Sequence, residues 1–86
     1  MATIGDIKAG LNNGKAEATK AIAQLNGVNQ QIDRAISILQ ALIAGTNQPA
    51  VMQALAKLAG AKQKLAESQG MINSAIADTD RYNAAI

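Results

Sequence analysis

The chain contains no cysteine, no histidine, no tryptophan and no phenylalanine, and it has one tyrosine, Tyr82, and one proline, Pro49. Without cysteine or histidine, disulfides and the usual zinc sites are excluded. No serine, threonine or lysine has an imidazole or thiol to activate it as a nucleophile. The near-absence of aromatics removes the base-stacking surfaces of single-strand nucleic-acid binders, and no basic stripe replaces them. Eight basic and six acidic residues leave a net charge of +2, spread along the chain; Lys57, Lys62 and Lys64 form the densest basic group and read as a solvated helix face. Long apolar runs are also missing. The most apolar stretch, Ala35 to Ala44, is interrupted by Ser37 and Gln40 and falls short of the ~20 residues that span a bilayer. The N-terminal residues lack the basic leader and apolar stretch of a secretory signal. The expectation is a chain made in the cytoplasm, for which any export would use a route without a cleaved leader.

What remains is 86 residues, 49% hydrophobic, rich in Ala, Ile, Leu, Asn and Gln. This composition favours close-packed helices over strands, which draw on aromatic and β-branched residues. The length permits one domain, residues 1–86. A domain this small without disulfides or metal often needs oligomerisation to complete its core.

Apolar and small residues recur at alternating steps of three and four. One stripe runs through Ile4, Ile7, Leu11, Gly14, Ala18, Ala21, Leu25, Val28, Ile32, Ala35, Leu39 and Leu42. A second runs through Val51, Ala54, Leu58, Ala61, Leu65, Ser68, Ile72, Ala75, Thr79, Tyr82 and Ile86. Neither contains a charge, and the spacing is that of a heptad seam. The period breaks only at Ile43-Ala44-Gly45-Thr46-Asn47-Gln48-Pro49. Gly45 suits the left-handed residue that ends a helix. Thr46, Asn47 or Gln48 can cap the next helix, with Pro49 in its first turn, where a missing N–H costs nothing. Thr3 followed by Asp6 is a capping-box signature at the chain's start. The expected fold is all-α: an antiparallel two-helix hairpin over residues 3–44 and 48–84, turning at Ile43, Gly45 and Pro49.

Pairing residues whose numbers sum to 93 sets large residues against small ones, as Leu39 with Ala54 and Ile32 with Ala61. Interiors favour that complementarity. In this register Ile22, Ile36, Ile43, Leu55 and Ile76 fall outside the seam along one edge. Such an edge marks a partner surface, and pairing two edges would complete a four-helix bundle. Six glycines, at 5, 10, 14, 27, 60 and 70, lie within the helices, and each suggests either close helix approach or local flexibility.

No motif for chemistry survives inspection. Gly10–Ala16 imitates a phosphate-binding loop, but it has three residues between its glycines, not four, and Ala16 follows Lys15. Gly10 and Gly14 also form the small-residue spacing of membrane helices, yet Asn12, Asn13 and Lys15 surround them. Asp78 and Asp80 sit two apart, which on a helix turns them to different sides. Glu17, Asp33 and Glu67 are isolated. The expectation is no catalytic residue, no metal, no cofactor, no small-molecule substrate, no nucleic acid and no membrane.

The hydrophobic-x-Gly turn at Ile43-Ala44-Gly45, between two helices of about 40 residues, resembles the WXG-motif family of small type VII secretion substrates. Gly45 matches that motif, while Ile43 stands at the tryptophan. The family's export signal, Tyr-x-x-x-Asp/Glu after the second helix, corresponds to Tyr82 through Ile86, with Tyr82 matching and Ile86 in place of the acid. The small-residue pattern, the Gly45–Val51 connection and the terminal Tyr-x-x-x-Ile are similar to the N-terminal helical hairpins of bacterial polymorphic toxins. These resemblances imply a non-enzymatic interaction module in secretion or toxin delivery. Its partner would be a second copy or a related hairpin, such as that of a toxin. The alternative is a cytoplasmic structural or adaptor protein with no secretion role.

Overall fold

The computed structural model describes residues 2–45 and 48–86. They form two helices, α1 (Ile4–Ile43) and α2 (Pro49–Ala85), packed as an antiparallel hairpin. The molecule is a rod of 64 × 19 × 15 Å. Its length is that of a single 40-residue helix at a rise of about 1.5 Å per residue.

Local chemistry sets both helix starts. Thr3 caps α1 in extended backbone: its side chain accepts from the Asp6 N–H at 3.1 Å, and Asp6 Oδ2 accepts from the Thr3 N–H at 3.1 Å. This reciprocal box satisfies two of the donors that a helix N-terminus leaves open. α2 opens at Pro49 behind Gln48, the extended cap residue, whose carbonyl accepts from the Val51 N–H at 3.1 Å. Thr46 and Asn47, the other two cap candidates, lie outside the described residues.

The expectation for Gly45 is corrected. No described residue has a positive φ. The last turn of α1 instead tightens with right-handed backbone at Ala44, and the Gly45 N–H donates to Leu42 O at 3.0 Å. Such an i→i−3 bond closes a helix without a left-handed residue. A Cβ at Gly45 would lie 3.8 Å from Leu42 O, an ordinary contact. Gly45→Ala is therefore expected to raise stability by about 0.4–1 kcal/mol through the unfolded chain. A loss of that size in urea unfolding would show that the turn needs glycine.

The helix contact repeats every seven residues, as expected, but in a register one step from the sequence reading. On α1 the half-covered positions include Leu11, Lys15, Ala18, Ile22, Leu25, Asn29, Ile32, Ile36, Leu39 and Ile43. On α2 they include Val51, Leu55, Leu58, Lys62, Leu65, Gln69, Ile72, Ile76, Thr79 and Asn83; Ile7, Ala21, Ala35, Ala54 and Ala61, beside these two sets, are half-covered as well. Subtracting each number of the first set from 94 returns the second, so the facing residues form ten rungs whose numbers sum to 94. Near the turn the rungs are wholly apolar: Ile43 with Val51, Leu39 with Leu55, Ile36 with Leu58. Among the described residues none is fully buried. Two helices cover only one side of each other, and among the described residues no third element closes over them.

Candidate functional site

Among the described residues, four polar contacts join the facing sides of the two helices. Lys15 Nζ pairs with Asp80 Oδ1 at 2.9 Å, and Lys62 pairs with Asp33. Gln69 Nε2 donates to Asn26 Oδ1 at 2.7 Å, and Asn83 Nδ2 donates to Asn12 Oδ1 at 3.4 Å. The residue numbers 15 and 80, 62 and 33, 69 and 26, 83 and 12 each sum to 95. Every pair joins a rung residue to a residue one position beyond the rung on the opposite helix. A long polar side chain in a half-covered rung can lay its stem along apolar surface and carry its head to the edge. Each of these does so toward the same flank of the hairpin, here the polar flank. The Lys62 placement corrects its reading as a plainly solvated lysine; Lys57 and Lys64 are exposed. Asp78 and Asp80 diverge as expected: Asp78 pairs with Arg81 on its own helix, while Asp80 reaches Lys15 on the other.

The opposite flank is different in kind. On α1 it takes every seventh residue from Ile7: Ile7, Gly14, Ala21, Val28, Ala35 and Leu42. On α2 it takes Ala54, Ala61, Ser68, Ala75 and Tyr82. From Gly14 on, these positions immediately precede rung residues, which puts them on the other side of the contact stripe from the polar pairs. In an antiparallel pair the two lines run side by side. Neither carries a charge. Val28, Leu42 and Tyr82 keep 42%, 52% and 52% of their surface exposed.

The residues expected to meet a partner lie elsewhere in the hairpin than the sequence reading put them. Ile22, Ile36, Ile43, Leu55 and Ile76 are half-covered rung residues between α1 and α2, not an edge left outside the seam. The residues outside it include Val28, Leu42 and Tyr82, which the sum-93 register had placed within. A register of 93 describes neighbours across the uncharged flank, and the rungs lie one step away. Of the turn residues, Ile43 closes the last rung, Pro49 starts α2 and Gly45 is exposed. Tyr82 lies inside α2, which continues to Ala85, not beyond it.

The polar rungs could have been found by a different signal. Lys15 with Asp80 and Lys62 with Asp33 are opposite charges at one common sum, and Gln69 with Asn26 and Asn83 with Asn12 share it. One rung also leaves a cost. Asn83 Oδ1 is enclosed without a hydrogen-bond partner, and an unpaired covered acceptor costs about 1–3 kcal/mol. Asn83→Leu would turn the Leu11–Asn83 rung apolar and is expected to raise the thermal midpoint. A lowered midpoint would place a donor at that oxygen.

Among the described residues there is no pocket and no group of three acidic side chains close enough to hold a metal ion. No helix is long and apolar enough to cross a membrane. The fold defines the class, an antiparallel helical hairpin. No protein-family model, no curated protein and no solved structure matches the chain.

Proposed function

We propose that the chain is a non-enzymatic interaction module, a helical hairpin that pairs with itself or with a related hairpin in type VII secretion or toxin delivery. One observation carries the pairing. A folded monomer of 8.8 kDa is expected to expose about 4,800 Å², whereas this hairpin exposes 6181 Å². The excess, roughly 1,400 Å², is larger than the ~800 Å² that each partner contributes to a standard protein interface. The radius of gyration, 19.4 Å, compares with about 12 Å for a compact domain of this length. A fold of this kind gains its missing burial from another chain. The delivery setting rests on the resemblance at Ile43-Ala44-Gly45. The position of Tyr82 inside α2 and of Ile86 at the acid's place favours the second reading, a cytoplasmic adaptor.

The pairing is tested by measuring sedimentation and the thermal midpoint against concentration, alone and mixed with hairpin proteins encoded beside it. Assembly raises the midpoint with concentration. A monomer whose midpoint is the same from about 1 to 100 μM, with every mixture inert, would overturn the reading. Export of the tagged chain by a host with a type VII apparatus separates delivery from the adaptor role.

A further inference from the structure

We infer that the hairpin yields at the end away from its turn. Residues 4–17 of α1 form a strap over the last turns of α2, and they part from it as a unit while the half beside the turn stays closed. This goes beyond the pairing reading and is measured within one chain, so the two fail separately.

The first observation is how the rungs change along the rod. Beside the turn they are wholly apolar, from Ile43 with Val51 to Ile36 with Leu58. In the other direction the last wholly apolar rungs are Ile22 with Ile72 and Ala18 with Ile76. Beyond them come Lys15 with Thr79 and Leu11 with Asn83, and neither sets one apolar side chain against another. Apolar surface removed from water is the main force between two such helices, so the strap is the part held least. It also carries a defect. Asn83 Oδ1 is enclosed without a hydrogen-bond partner, and parting returns that oxygen to water.

The second observation is the strap's own sequence. Gly5, Gly10, Asn12, Asn13 and Gly14 all fall in it, whereas residues 28–43 and 49–59, beside the turn, contain no glycine. Glycine and asparagine are poor helix formers, and so short a helix is marginal alone in water. The capping box of Thr3 and Asp6 bonds only within its own turn. A strap that leaves α2 therefore loses its helix as well. What holds it in place is polar. Lys15 pairs with Asp80 at 2.9 Å, with 44% and 50% of the two side chains exposed, and Asn83 Nδ2 donates to Asn12 Oδ1 at 3.4 Å, a long bond. An ion pair this open adds little and is screened by salt, so the strap loosens with ionic strength while the apolar rungs do not. Segments that move on binding are drawn from the least stable part of a fold. Here that part uncovers Ile76, Thr79 and Asn83 on the inner side of α2.

The test is amide hydrogen exchange on the full chain, followed in peptides from each half. In the parent, residues 8–17 and 77–85 should be protected about tenfold or more less than residues 29–43 and 51–65. Asp80→Asn keeps the size of the side chain and removes the ion pair. It should speed exchange in residues 8–17 by about 1.5- to 5-fold and leave residues 29–43 as they were. Raising salt from about 50 mM to 1 M should act on the parent in the same way. Asp33→Asn breaks the pair with Lys62, outside the strap, and should leave residues 8–17 unchanged. The inference is overturned if the two halves of the parent are equally protected, or if Asp80→Asn moves both alike. It is also overturned if Asp33→Asn loosens the strap as much, or if neither Asp80→Asn nor salt loosens it. An Asp80→Asn chain that loses its helical signal overturns it too, because the half beside the turn would then fail without the strap.

Discussion

Ile36→Asp is expected to unfold most of the protein at room temperature. Ile36 faces Leu58 in one of the three apolar rungs next to the turn and is half covered. Fully burying an isoleucine is worth about 1.5–3 kcal/mol, so a half-covered one forfeits roughly half of that. The substitution also sets a carboxylate against Leu58, and none of the four bridging polar contacts supplies a cation at this rung. An unpaired charge removed from water adds several kcal/mol unless it protonates. Domains of 86 residues have about 4–13 kcal/mol in total, and a rod with no fully buried residue among those described belongs near the lower end. The control is Ile38→Asp, two positions along the same helix, where 65% of the residue's surface is exposed. It should change stability by no more than about 0.5 kcal/mol. Urea unfolding at one protein concentration checks both. If Ile38→Asp were the damaging variant, the rungs would have to be redrawn.

Replacing Gly10, Gly27, Gly60 and Gly70 together with alanine is expected to stabilise the protein by about 2–4 kcal/mol. All four are inside helices and exposed, and a Cβ at each would meet nothing within 4 Å. The reading of such glycines as sites of close helix approach therefore does not hold within the hairpin. Each glycine in a helix interior costs about 0.5–1 kcal/mol relative to alanine. The four sites are far enough apart, or on separate helices, for their effects to add within a few tenths. A thermal midpoint raised by ten degrees or more, as gains of this size imply, would meet the expectation. A lower midpoint would mean that a partner covers these positions.

Much of the hairpin was legible because its causes are local. The reciprocal bonds of Thr3 and Asp6 act within one turn. Pro49 suits a first helical position wherever the rest of the chain lies. The uncharged three-and-four spacing names helices and needs no partner to do so. The pairing face was not legible in the same way. On α1, Leu11, Ala18, Leu25, Ile32 and Leu39 belong to both candidate seams. Ile7, Ala21, Val28, Ala35 and Leu42 extend them on one side, and Ile22, Ile36 and Ile43 on the other. Size matching chose the first side, since Leu39 with Ala54 and Ile32 with Ala61 make plausible layers. The second side also holds the polar residues Lys15, Lys62, Gln69 and Asn83. They are tolerated there because a half-covered rung lets a long side chain reach the edge, where Asp80, Asp33, Asn26 and Asn12 lie.

By itself, then, the sequence determined the class of fold, the two helix spans to within a residue or so at most ends, and the place of the turn. Each follows from period, capping and backbone restriction over a few residues. Tertiary structure alone decided how far each helix is rotated about its own axis. That rotation turned Ile22, Ile36, Ile43, Leu55 and Ile76 inward and left Val28, Leu42 and Tyr82 on the open flank. The physical reason is that an uncharged sector wider than one seam offers two rotations of similar apolar burial. The choice between them falls to contacts between residues tens of positions apart, which only the folded hairpin brings together.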